Sequence, residues 1–378
     1  MTSRRTPAGN HVAEWFGHRV FPVVAATPRA RGDQLAGRCP FLTEVTGQNR
    51  ACVKNENSAG VCTVSSVSRT HGRQDWLVCP IRSLDLDLVE DVVRRLFGHE
   101  STAEVGITPV PVLADPGRRE AFRAAVHAGR PAVVYFQTKL GGEITLAPTT
   151  RSPEFSFDST MVEVLPTAEG GLRLGRYGIF EIQTMDYHGS YRHAVANLRD
   201  GLRLHGDDFH TTLADRPGWL SERMEGPNIS NVFKRTFYQM MFKFQIGAHA
   251  HSAGCAFAIP RPVWDSWQRH LAGPDLVERG DGTWQLGESD SAAKSDKPPA
   301  WIYVLDLDVS DQDSPNDLKI WRIIATDARS MSHYALDLAP AAALEEGGSV
   351  DRVLATIRTR LASVLPEVVQ IPGAGSLG

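Results

Sequence analysis

The chain lacks any apolar run approaching the roughly 18–20 residues that a membrane span requires. Its opening stretch, MTSRRTPAGNHVAEWFGHRV, lacks the apolar core of a signal peptide. That stretch reads as a mobile arm leading into a helix, and the expected compartment is the cytoplasm. No internal repeat is present, which excludes solenoid and propeller architectures. A large excess of either charge is also missing: 40 Lys and Arg stand against 44 Asp and Glu, a formal net charge of −4. A uniformly basic coat is therefore excluded. Cysteine is scarce, with five in 378 residues, too few for the disulfide framework of a small secreted scaffold. What remains is ordinary globular composition, 42% hydrophobic and 22% charged, sufficient for one large domain with a satellite or for two domains.

The few cysteines are unevenly placed. Cys39, Cys52, Cys62 and Cys79 fall in one segment rich in Asn, Ser, Gly and Arg, and only Cys255 lies elsewhere. Clustered thiols in a reducing compartment read as a metal site before they read as bridges. Four thiolates close a tetrahedral shell around zinc or iron and leave no open position for a substrate. The intervals of 12, 9 and 16 residues do not form paired C-x-x-C knuckles, so free thiols stand as the alternative. Cys255 reads as core; a His249, His251 and Cys255 metal site is the competing assignment. Charge is also distributed unevenly. Residues 1–54 carry a surplus of five positive charges and residues 281–317 a deficit of seven, an asymmetry that suits nucleic-acid binding without requiring it.

The rest follows a mixed α/β pattern. Helical periodicity covers 84–98, 117–129, 190–202, 230–245, 261–272 and 349–364. Strand-like runs cover 131–137, 141–146, 155–164, 176–185, 301–309 and 317–326, with those from 141 to 185 expected to be three strands of one sheet. Residues 289–300 read as a surface loop or linker. The helix at 230–245 has one apolar face, Val232, Phe233, Phe237, Met240, Met241 and Phe244, which assigns its aromatics chiefly to the core. Lys234, Arg235, Gln239 and Lys243 then lie on its other faces, where phosphate or base contacts would be made, and His188 is a further phosphate contact in this reading.

The strand runs carry acids where core residues are expected: Asp158 in PEFSFDST, Glu181 in GIFEIQTM, and Glu143 just upstream. If the strands are neighbours, the carboxylates converge, and close, desolvated carboxylates persist only with a counter-cation or altered protonation. Oxygen-only ligands select a hard cation such as Mg²⁺, which can polarise a phosphodiester and activate its own water. The competing interpretation is that these acids face solvent from half-exposed strands.

Asp158 followed on the next strand by Glu181-Ile182-Gln183 resembles the PD-(D/E)XK nuclease pattern, with Gln183 at the usual Lys position. Longer strings carry a more specific likeness: EWFGHRV (14–20), CPFLT (39–43), DWLVCP (75–80), FQTKLGGE (136–143), SPEFSFD (152–158), EIQTMDYHGSY (181–191) and MEGPNISNVFKRTFYQM (224–240). In this order they resemble the NotI-like type II restriction endonucleases, up to about residue 330.

That resemblance implies an α/β fold with a PD-(D/E)XK core, a mixed sheet flanked by helices, over 84–378, which would also hold the dimer contacts. It implies a small four-cysteine metal-binding, DNA-gripping domain with an N-terminal arm over 1–83. Asp158 and Glu181 would hold the catalytic Mg²⁺ with the Ile182 carbonyl, and Glu143 would be an extra ligand or water-orienting acid. Gln183, neutral, can orient a water but cannot stabilise developing negative charge as an amine does. Cys39, Cys52, Cys62 and Cys79 would hold a structural iron, with zinc as the alternative because thiolates bind both. The implied activity is cleavage of both strands of double-stranded DNA at a GC-rich palindrome, CGGCCG or GCGGCCGC, leaving 5′ overhangs. A homodimer would read the symmetric site, alongside a cognate DNA methyltransferase without a stable complex. The alternatives are a non-cleaving, metal-stapled DNA-binding protein and a repair or mobile-element nuclease of the same fold.

Overall fold

The computed structural model describes residues 8–369, apart from 70, 101, 186, 288–296, 308–314, 316 and 346–348. The chain is mixed α/β, with a large mixed sheet flanked by helices. The strands of that sheet run in the order 276–278, 284–286, 318–326, 300–307, 252–260, 172–182, 159–166, 132–137 and 106–109. Strand Leu172–Ile182 is antiparallel to Ser159–Pro166 and parallel to Ser252–Pro260. A second sheet of four antiparallel strands orders His18–Arg19, Gly9–Trp15, Val61–Ser68 and Gly72–Leu77.

Both faces of the large sheet are buried. On one face lies the helix Leu86–Phe97, begun by the Asp85 carboxylate accepting from the Leu88 amide and ended by Gly98 in the left-handed conformation. Its Leu88, Val89, Val92, Val93, Leu96 and Phe97 are buried, at about 1.5–3 kcal/mol for each fully buried side chain. On the other face lies Ile229–Gly247, and here Arg192–His205 and the small sheet join the same apolar cluster, the sheet through Val12, Trp15, Val61, Val64 and Trp76.

Three sequence expectations change. Residues 9–15 form a strand instead of an arm leading into a helix. Val12 to Trp15 are buried on both faces, which erases the alternation that identifies a strand. Within 141–146 only Ile144–Leu146 is a strand, and it pairs with Phe155–Phe157 in a ribbon outside the large sheet. Gly141 and Gly142, at φ +94° and +87°, turn the chain there. The run 155–164 is split at Asp158 into two strands. The loop expected at 289–300 lies largely outside the described residues.

A buried ionic cluster ties the small sheet to the helical turn Pro80–Ser83 that follows its last strand. Glu14 accepts from Arg82 Nε at 3.0 Å and Nη2 at 3.3 Å, and from the Thr63 hydroxyl, with Arg19 at 3.9 Å. Burial alone would raise the Glu14 carboxyl, but Arg82 and Arg19 overcome it and hold the group below its ordinary value of 4.5. Such a carboxylate stabilises the fold above pH 4.5 and loses its contribution as pH falls through the depressed value. Glu14→Gln should cost about 3–5 kcal/mol at neutral pH, because it leaves the Arg82 charge buried. The variant should also lose less stability than the wild type on acidification below pH 4.5. Denaturant midpoints for both proteins across pH check both statements.

Candidate functional site

Asp158 sits where the chain leaves the Phe155–Phe157 ribbon and enters the large sheet. Glu181 is the penultimate residue of the neighbouring strand. Register pairs Ser159 with Phe180, so the acids lie one residue beyond a paired position, at the same end of two adjacent strands. Two crossed bonds tie the strand ends: the Asp158 amide donates to Glu181 Oε1 at 3.1 Å, and the Ile182 amide donates to Asp158 Oδ2 at 2.9 Å. The Glu181 carboxylate is thus aimed by the Asp158 amide, and the Asp158 carboxylate by the amide of Ile182, the residue after Glu181.

Glu181 is only 3% exposed. Burial and the adjacent Asp158 push its carboxyl up to about 8, against a partial opposing pull from Lys243. Asp158 is also raised, first by burial and further by the charge of Glu143, while the Ile182 amide and Lys243 act in the other direction. Lys243 is the residue that sequence reasoning misplaced. It was expected on a polar helix face reaching toward DNA; instead it is buried, its ammonium donating to Glu181 and lying 6.0 Å from the centre of the Phe157 ring. Its place in the helix puts it one residue from the apolar Phe244 and three from Met240, so a signal existed, but a lysine there is equally consistent with a snorkelling surface residue.

Gln183 follows the strand directly. Its side-chain oxygen accepts from the Thr236 hydroxyl, and its side-chain nitrogen donates to the Thr184 carbonyl. The long helix therefore supplies both Lys243 and Thr236 to the strand end. Glu143 stands farther out, exposed, and accepts from the Thr138 hydroxyl. It shares the electrostatic surroundings of Asp158 without a direct bond to it among the described contacts.

The four clustered cysteines are brought together by the fold. Cys39, Cys52, Cys62 and Cys79 all line one cavity of about 10 Å³, closed by Phe16, Pro40, Phe41, Val53, Gly60 and Ile81. Such a space suits a single water-sized or ionic occupant. Among the described residues, no three His, Cys, Asp or Glu side chains are drawn together into a shell ready to hold an ion, whether here or at the acids. Cys39 is pushed up to about 12, and Cys62 well above its ordinary range, in both cases first by burial and then by the neighbouring thiols. Lys54 opposes this at Cys62 and Cys79. Its ammonium is pinned to the carbonyls of Val61 at 2.7 Å and Val78 at 2.8 Å, each one residue before a cysteine. Four thiols on one cavity supply the donor chemistry that a soft ion such as zinc or iron takes, although they are not gathered into a shell for one in this structure.

Lys54 exemplifies a wider result for the basic first segment. Arg19 is buried near Glu14, Arg31 pairs with Asp207, and Arg38 pairs with Asp33. Arg4 and Arg5 lie outside the described residues. Four of the cations counted in sequence are thus engaged within the chain, two of them by acids of the same segment, Glu14 and Asp33. Cys255 is fully buried, as the core assignment requires, whereas His249 and His251 are exposed. The strand containing His188 pairs with Met224–Pro227, and its side chain lies outside the described residues.

In comparisons with known proteins, no protein-family model matches the chain. No curated protein matches it.

The cysteine cavity depends on Gly60. Its amide donates to Cys52 Sγ at 3.3 Å, its carbonyl accepts from Phe16 at 2.7 Å, and its φ is +80°. A Cβ there would lie 2.7 Å from the Trp15 indole. Gly60→Ala should therefore cost about 1–3 kcal/mol and open the cavity. Reaction with a thiol reagent under native conditions should be slow in the wild type and clearly faster in the variant. Equal rates would separate Gly60 from the cluster.

Proposed function

We propose that the chain is a Mg²⁺-dependent type II restriction endonuclease of the PD-(D/E)XK kind, hydrolysing both strands of double-stranded DNA at a GC-rich palindrome as a homodimer. The observation that supports this reading most is the pair of crossed bonds that holds Asp158 and Glu181 together at the ends of adjacent strands, Asp158 amide to Glu181 and Ile182 amide to Asp158, with Gln183 immediately beyond. An apolar interior holds two close carboxylates at a cost, and a site built to receive a divalent cation explains why both are kept. Asp158, Glu181 and the Ile182 carbonyl would hold Mg²⁺, which supplies a Lewis acid and an acidified water when bound.

The chain's own residues divide the remaining work. Lys243 balances Glu181, so the site carries one buried ammonium even though the strand offers glutamine. Gln183, its oxygen engaged by Thr236 and one N–H by the Thr184 carbonyl, is held in one orientation with its second N–H left for positioning water. Glu143, exposed at the rim, raises the local negative potential that draws in a cation. In the same reading the cysteine cavity holds one structural iron or zinc that staples the first segment, because metal binding couples to folding where thiols must give up their protons. The target would be a CGGCCG core, read in the major groove, where G·C pairs present distinct donors and acceptors.

Asp158→Asn and Glu181→Gln should each reduce plasmid cleavage by about 10²–10⁴-fold, since a metal's charge stabilisation is worth several kcal/mol and each 1.4 kcal/mol is tenfold. DNA binding with Ca²⁺ in place of Mg²⁺ should persist for Asp158→Asn. Lys243→Met should also cleave poorly while retaining DNA binding. Cleavage at the wild-type rate in either carboxylate variant removes that residue from the site. Sequenced fragment ends from a digested GC-rich genome should share one GC-only palindrome.

Metal analysis of purified chain should find about one iron or zinc per molecule, as a closed four-thiolate shell requires. Cys62→Ser or Cys79→Ser should lower metal content and thermal midpoint together. Protein without either metal, melting unchanged in both variants, defeats the structural-metal assignment while leaving the nuclease assignment standing.

A further inference from the structure

The C-terminal helix Ser349–Leu361 leaves an apolar stripe uncovered. Val350, Val353, Leu354 and Ile357 are between 43% and 56% exposed, and Val364, just beyond the helix, is 68% exposed. Residues 350, 354, 357, 361 and 364 are all Val, Leu or Ile, spaced by four, three, four and three. That spacing is a heptad seam, which presents a continuous ridge only when a second helix lies along it. Among the described residues, the principal packing partners of this helix are its chain neighbours Ala339–Glu345 and Pro366–Val369. An isolated stripe of this size on a helix otherwise carrying Asp351, Arg352, Arg358 and Arg360 marks a contact surface.

The charges indicate the occupant. With 350, 354, 357 and 361 on the seam, Asp351 and Arg358 flank it on the same side, one heptad apart. In an antiparallel pair, residues of that flank face each other across the seam, so Asp351 meets the partner's Arg358, and the two-fold repeats the contact. In a parallel pair this flank faces the opposite one, where Val353 and Arg360 stand, and no opposite charges meet. The helix is therefore complementary to a reversed copy of itself.

We infer that this helix pairs antiparallel with the same helix of a second copy of the chain, contributing a two-fold dimer contact. Helices of this length bury on the order of 1,000 Å² together, the lower bound of a specific interface, so the contact is reversible on dilution. The dimer itself belongs to the nuclease reading and the inference rests on that reading for its need of a two-fold; the seam and its charges are independent of it.

The test is sedimentation velocity on the full-length protein without DNA or divalent metal, over about 1–100 µM. Wild type should shift from monomer toward dimer with concentration. Leu354→Glu combined with Ile357→Glu should be monomeric throughout, with unchanged circular dichroism because both side chains are exposed. Asp351→Arg alone and Arg358→Asp alone should weaken association, by about tenfold for one lost ion pair doubled by symmetry, and the two together should restore it. A wild type that stays monomeric at about 100 µM overturns the inference. So does a dimer that survives the double glutamate variant, or a charge swap that fails to restore what the single changes remove. None of these readouts involves cleavage, so a failed inference here and a failed nuclease assignment are separately visible.

Discussion

One charge balance governs the centre of this molecule: two adjacent carboxylates at the ends of neighbouring strands against a single buried lysine. Glu181 cannot ionise freely in an apolar interior beside Asp158, and its carboxyl is raised accordingly. Lys243 relieves part of that conflict, and it does so from the long helix rather than from the strand. The helix must therefore dock in one register, and its apolar residues Val232, Phe233, Met240 and Phe244 hold it there. The same docking brings Thr236 to Gln183. Packing and site chemistry are thus settled by the same contact, and a slip of one helical turn would undo both.

The first segment meets a comparable problem with the opposite solution. Its sheet is small and its loops are polar, yet Glu14 and Arg82 are fully buried within it. Their pairing ties the first strand to the chain just after Cys79, while Lys54 ties the carbonyls preceding Cys62 and Cys79. These polar clamps place all four thiols around one cavity. A buried ion pair is weak evidence for net stability, but it is demanding about geometry, since every donor must find its acceptor. That demand fixes the geometry of the segment in which the four thiols meet.

The two centres share a design in which lysines serve the interior. Lys243, assigned by the sequence to a polar helix face, is turned inward to Glu181, and half-buried Lys54 engages two backbone carbonyls with its ammonium. Arg19, Arg31 and Arg38 are likewise occupied by acids. In the proposed nuclease reading, DNA would meet fewer free charges than composition suggests, and the salt dependence of binding would be shallower than a count of basic residues predicts.

Sequence by itself determined the alternation of helices and strands, because periodicity and capping are local: the Asp85 cap, the Leu88–Phe97 stripe and the Gly98 stop are all legible within 14 residues. It also marked Asp158, Glu181 and the four cysteines as unusual, since acids in core-like strands and clustered thiols stand out against composition. It could not show that 9–15 is a strand, because burial on both faces removes the alternation. Nor could it show that Asp158 ends one strand and starts another, since that break depends on Phe155–Phe157 finding a partner at Ile144–Leu146. Which cations neutralise the acids was decided by tertiary structure alone: Lys243 lies 62 residues from Glu181, and Arg82 lies 68 from Glu14. Local propensity carries no information about such distant partners; only the packing of helix on sheet brings them within reach.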